Sequence, residues 1–133
     1  MNKKIFLAVV ILLGTGCADK KEYEQAVMEE VKKDKDLADY KVNPEIMTDC
    51  VVSKTTGKMP GLFPFDPQRM LAYRYYAKML KLNSSSDPKK TMEELRQDFG
   101  SAKGLSDAHS NYIENYVNCM ADLVTGSEEK KKD

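Results

Sequence analysis

Three cysteines and a single histidine are the side chains of this 133-residue chain most able to do chemistry. Cys17 directly follows Leu13-Gly14-Thr15-Gly16, while Cys50 and Cys119 stand far downstream. Small residues ahead of a cysteine suit a processing site and leave the thiol open to modification. Cys50 and Cys119 can pair as a disulfide, share a metal ion, or remain reactive thiols. A two-cysteine metal site needs further ligands, and one histidine cannot make the common multi-histidine zinc sites. His109, beside Asp107, has no serine nucleophile motif to work with and reads as an exposed polar residue. Glu29-Glu30, Glu93-Glu94 and Asp98 read as solvated helix faces, because acid–base work needs a cleft that drives two carboxyl pKa values apart. The chain carries no phosphate-cradling glycine motif, haem-attachment motif or calcium loop. It is expected to be no enzyme and to use no metal and no cofactor.

The segment ahead of Cys17 gives that cysteine its context. Lys3 and Lys4 precede nine apolar residues, Ile5 to Leu13, and then the small residues. This is the layout of a secretory signal peptide. The apolar run falls well short of the roughly 20 residues that span a bilayer. After Cys17 the chain turns polar at Asp19, Lys20, Lys21 and Glu22. Leu13-Gly14-Thr15-Gly16-Cys17 resembles the lipobox of bacterial lipoproteins, with Gly14 where such boxes most often carry leucine. The resemblance implies that residues 1–16 are cleaved and that Cys17, carrying a diacylglyceryl group, opens the mature protein. Two or three acyl chains hold a protein stably on a membrane, whereas one is marginal. It also implies a place in the cell envelope. Ala18, rather than aspartate, follows the lipidated residue, which by the sorting rule of enteric bacteria favours the outer membrane, facing the periplasm.

Export puts Cys50 and Cys119 in an oxidising compartment, where two cysteines have one possible connectivity. Closing that ~70-residue ring is worth up to roughly 4 kcal/mol. The 21 basic and 21 acidic residues balance, and loss of Lys3 and Lys4 leaves a net charge of about −2. No basic face points to nucleic acid. The length after Cys17 suits one domain.

The elements that must position these groups read as helices. Tyr23, Ala26, Val27 and Val31 recur at helical spacing, predicting a helix over 20–33, with Leu37 and Tyr40 as an extension after a break. Asn43-Pro44 is a cap followed by proline at the first helical position. It opens a short helix whose apolar face carries Ile46, Met47, Cys50 and Val51. Asp66-Pro67 repeats the signal before a helix to about Leu82. That helix is apolar nearly all round and is expected to be buried and central. Residues 83–88 read as a linker, Thr91 and Glu94 as a capping box, and Met92, Leu95 and Phe99 as the stripe of a fourth helix. Ser106 is expected to cap a last helix ending near Thr125. On it Tyr112, Tyr116, Cys119 and Leu123 form one apolar row, and Ile113, Val117, Met120 and Val124 form another.

These readings predict an all-α fold, a small bundle of four to five helices stapled by Cys50–Cys119. Residues 17–21 form the lipidated cysteine and a short tether, 22–126 a single helical domain, and 127–133 a disordered charged tail. Residues 57–65 combine Pro60 and Pro64 with Met59, Leu62, Phe63 and Phe65. Such an apolar loop either plugs the end of the bundle or presents its side chains to a partner or membrane. The functional expectation is a membrane-anchored envelope lipoprotein that acts as a protein–protein interaction or assembly module. Met59, Leu62, Phe63 and Phe65 are its candidate contact to an envelope protein. The gross plan is similar to that of pilotins, a likeness of architecture and not of motif. The alternatives are a periplasmic small-ligand carrier, with Tyr73, Tyr76, Tyr112 and Tyr116 lining its cavity, and an immunity or inhibitor protein against an envelope-targeting toxin.

Overall fold

The computed structural model describes the backbone of residues 15–129 and the side chains of residues 17–126. The expected export signal, apart from Thr15 and Gly16, lies outside the described residues, as do residues 130–133 of the expected tail. Six α-helices follow in order among the described residues: α1 Thr15–Lys33, α2 Lys35–Asp39, α3 Pro44–Thr56, α4 Pro67–Leu80, α5 Pro88–Asp98 and α6 Ala102–Glu129. A 3₁₀ turn, Leu82–Ser84, follows α4, and no strand occurs among these residues. The fold is all-α, as expected.

Three helices open on the same device. The side chains of Asn43, Asp66 and Asp87 accept hydrogen bonds from the amides of Ile46, Gln68 and Lys90, and a proline holds the first helical position each time. Each cap satisfies a backbone donor that the helix itself cannot reach. Asp87 replaces the capping box expected at Thr91 and Glu94. Thr91 instead shares a hydrogen bond with Ser85 at 2.7 Å, and Glu94 pairs with Lys78 at 2.8 Å. Asp34 breaks α1 from α2 by accepting from the amides of Asp36 and Leu37. The last helix starts before the expected Ser106: Ser101 caps it through the amide of Gly104 at 2.9 Å. A Cβ on Gly104 would strike the carbonyl oxygen of Phe99, so glycine lets α6 start hard against the end of α5. The helix also runs through Gly126, so residues 127–129 of the expected tail are helical.

Helix α1 packs against both α3 and α4, α6 packs against α3, and α5 touches both α4 and α6. The middle of the core therefore belongs to α1, not to α4 as the apolar pattern predicts. Helix α4 buries Ala72, Tyr73, Tyr76, Ala77 and Met79 but leaves Leu71 exposed. Tyr23 of α1 is fully buried, stacked on Tyr73 at 5.9 Å and edge-on to Tyr76 at 5.7 Å. Cys50 of α3 and Cys119 of α6 form the expected disulfide, with their Cα atoms 6.0 Å apart. On α6 the row through Tyr112 and Cys119 faces inward, whereas Ile113 and Val117 of the second row are exposed. Asn111 and Asn115 are buried in their place.

Those asparagines complete a polar chain through the core. The Tyr23 hydroxyl lies 2.7 Å from Thr55 Oγ1, which donates its own proton to the Val51 carbonyl at 2.8 Å. Asn111 Nδ2 donates to the Thr55 carbonyl at 3.2 Å and to the Tyr76 hydroxyl at 2.8 Å. Asn115 donates to Asn111 Oδ1 at 2.8 Å. Helices α1, α3, α4 and α6 thus meet through satisfied hydrogen bonds, which a buried polar group requires. Asn111→Ala leaves the buried Tyr76 hydroxyl without its partner, while the Thr55 carbonyl keeps the Lys58 amide, and should cost about 1–3 kcal/mol in urea unfolding. Combined with Tyr76→Phe it should lose less than the sum of the two single losses. Strictly additive losses would contradict the bridge.

Candidate functional site

Among the described residues, the connection between α3 and α4 presents the two most exposed large apolar side chains, Leu62 and Phe65, with Phe63 between them. Leu62 is 95% exposed, Phe65 72% and Phe63 55%. Met59 is only 5% exposed and packs into the core. The structure thus removes Met59 from the candidate contact and keeps the other three on the surface. Two charged side chains hold the loop in shape. Arg69, in the first turn of α4, donates from Nε to the Pro60 carbonyl at 3.0 Å and from Nη2 to the Gly61 carbonyl at 2.6 Å. Asp66 accepts from the Leu62 amide at 3.0 Å and from the Gln68 amide at 2.9 Å. Gly61 has φ +104°, and a Cβ there would approach Arg69 Cβ to 2.9 Å. Only glycine suits both the left-handed backbone and that approach. Bonds from the amides of Leu62 and then Gln68 hold the Asp66 carboxyl below the usual carboxylate range. The loop is a pinned display of Leu62, Phe63 and Phe65.

Cys17 is exposed and unpaired on α1. The expected tether over 17–21 is instead part of that helix. Asp19 is buried, and Arg74 of α4 grips its carboxylate from Nε at 3.0 Å and Nη2 at 3.2 Å. Glu22 meets Lys81 at 3.1 Å in the same interface. Cys17 and Glu24, two helical turns apart, share one face of α1. Glu24 and Lys20 line a surface pocket together with Pro64, Arg69 and Tyr73. Cys17 and the apolar loop therefore occupy the same end of the molecule.

A second feature is a groove of about 620 Å³ bounded by α4, the end of α5 and the first half of α6. Pro60, Leu71, Tyr75, Phe99 and Ala108 supply apolar walls, and Asn111 contributes to its lining. Phe99 meets Tyr75 and Tyr76 edge-on at 5.8 and 5.7 Å, which stiffens one wall. Lys58, Asp98 and Asp107 also line the groove. Such a surface suits apolar side chains presented within a polar frame.

The remaining candidates for chemistry do not converge. His109 is exposed. Glu93 pairs with Arg96, Glu94 and Asp98 with Lys78, and Glu30 with Lys33. Among the described residues no cluster of three or more His, Cys, Asp or Glu could hold a metal ion. No helix among them is long and apolar enough to cross a membrane. Of the four tyrosines expected to line a cavity, Tyr76 borders the groove, Tyr73 borders the separate pocket beside Lys20, and Tyr112 packs against Tyr116 at 5.8 Å. Burial is the main reason the Tyr23, Tyr76 and Tyr112 hydroxyls resist ionisation. They act as core groups. Comparison with known proteins finds no matching family model, no matching curated protein and no matching solved structure.

Because Asp66 is held below its ordinary range, its contribution to loop order is present above about pH 4 and is lost as pH falls through its lowered pKa. In an NMR titration the Leu62 and Gln68 amides should move together, with a midpoint below that of an ordinary aspartate. A midpoint at or above the ordinary value would contradict the staple.

Proposed function

We propose that this protein is a lipid-anchored module of the bacterial cell envelope that captures a protein partner and performs no catalysis. The observation that carries the reading is the division of labour among the three cysteines. Cys50 and Cys119 close on each other inside the core, while Cys17 stands exposed directly after a lipobox-like sequence. Anchoring through Cys17 accounts for an N-terminal region that has a signal-like apolar run but too few residues to span a bilayer. Ala18 in the position after the anchor supports outer-membrane attachment facing the periplasm, by the sorting rule of enteric bacteria.

Capture is assigned to the groove between α4 and α6. An amphipathic segment of an envelope protein would lay apolar side chains against Leu71, Tyr75 and Phe99, the usual mode by which a helix or strand enters a groove. The groove volume also falls in the range of small-ligand sites, roughly 300–1,000 Å³. A small-ligand carrier is therefore the second reading.

Two variants separate these claims. Protein extracted from membranes should begin at a diacylated Cys17 by intact mass, and Cys17→Ser should leave the membrane fraction. A photo-cross-linker at Leu71 should recover a discrete envelope protein, and Leu71→Asp should abolish its affinity capture without change in helicity. A partner that still binds Leu71→Asp contradicts the groove assignment. A groove that cross-links no protein but retains a small molecule through native extraction favours the carrier.

A further inference from the structure

The pinned loop needs an occupant for its three apolar side chains, and its position relative to Cys17 selects one. We infer that Leu62, Phe63 and Phe65 insert into the lipid interface beside the anchor, so that the protein sits on the membrane at two points and in a fixed orientation. This rests on the lipid anchor proposed above.

The first argument is the missing slack. A flexible tether extends a domain's reach by about 3.3–3.6 Å per residue. Here none separates Cys17 from folded structure, because α1 already covers it and Asp19 is locked to Arg74. The end of the domain that bears Cys17 must then lie in the headgroup region. The second argument is location. Lys20 stands three residues, about 4.5 Å, from Cys17 along the helix, and shares a pocket with Pro64 and Arg69. Phe63 and Phe65 flank Pro64. The third argument is preorganisation. Arg69 and Asp66 fix the loop backbone, so insertion does not have to order it. Phenylalanine and leucine are also the apolar residues that interfacial anchors bury to a depth of about 5–10 Å. A protein partner at the loop would have to fit between the domain and the bilayer.

The chain contains no tryptophan, so a single substitution gives a unique reporter. Phe63→Trp and, separately, Phe65→Trp are produced as the exported full chain, extracted, and reconstituted in vesicles of phosphatidylethanolamine and phosphatidylglycerol. Ile46→Trp serves as control. Ile46 is exposed at the start of α3, beside Leu123 of α6, and α3 runs antiparallel to α1, so it lies at the far end from Cys17. The expected result is blue-shifted emission from Trp at 63 and 65, quenched when the lipid chains carry bromine, with water-like and unquenched emission from position 46. Lipidated, vesicle-bound protein whose loop tryptophans remain water-like overturns the inference and leaves the anchor standing. A shift that appears only when envelope proteins are added assigns the loop to a protein and overturns it as well. If intact mass shows no lipid on Cys17, the anchor reading fails, and the inference falls with it before any spectrum is read.

Discussion

The grip of Arg74 on Asp19 is the interaction on which the rest of this structure depends. Isolated surface ion pairs contribute little to stability; in this one the Arg74 side chain is 55% exposed and the burial of its partner carboxylate makes the difference. The Asp19 carboxylate is mostly withdrawn from solvent and accepts two parallel hydrogen bonds from one guanidinium, the geometry in which such pairs are strongest. It sits two residues after Cys17 and joins α1 to α4 across 55 residues of chain. Without it, Glu22–Lys81, in the second turn of α1, would be the one ion pair joining α1 to α4 among the described residues. With it, the first turns of α1 are part of the domain, and the lipid proposed on Cys17 attaches to a rigid body.

The core repeats this logic in uncharged form. Tyr23, Thr55, Tyr76 and Asn111 bring four helices to one hydrogen-bonded junction, surrounded by Val27, Val51 and Ala77. Directional bonds of this kind fix which helix faces which, where apolar contact alone tolerates sliding. The disulfide then ties α3 to α6 across a sequence separation of 69. Constraint of the unfolded chain by such a ring matters in a domain of this size, whose net stability is a small difference between large terms. Helices α4 and α6 are thereby set apart at a fixed spacing, and the groove between them is a consequence. Stability and the candidate contact surface come from the same arrangement.

Much of this architecture can be read from residue types. Asn43-Pro44 and Asp66-Pro67 announce their helices because capping and proline geometry are local. Cys50 and Cys119 both fall on inward faces of their periodic patterns, so their pairing is legible. Asp87-Pro88 carries the same start signal but is masked by the serines before it, which suggest a linker. The failures have a common cause. The apolar pattern passes over Asp19, Asn111 and Asn115, and Asp19 and Asn111 find their partners 35 to 56 residues away. Helix α4 reads as central because Met70, Leu71, Tyr75 and Leu80 count as apolar in the pattern, although Leu71 is exposed and the other three are only half-buried. In the loop, composition marks an apolar segment but cannot divide it. The Arg69 and Asp66 bonds, all within nine residues of chain, hold a loop in which Met59 is buried while Leu62, Phe63 and Phe65 are exposed. The groove has no local signal at all, since α4, α5 and α6 build it jointly.

An anchored, oriented module requires that no slack separate the proposed anchor at Cys17 from the folded domain. Neutron reflectometry of the lipidated protein on a supported bilayer measures this directly. The account predicts protein density that begins in the headgroup layer with no intervening water. A resolved water layer between bilayer and domain would mean that the first turns of α1 unwind into a tether, and would contradict it.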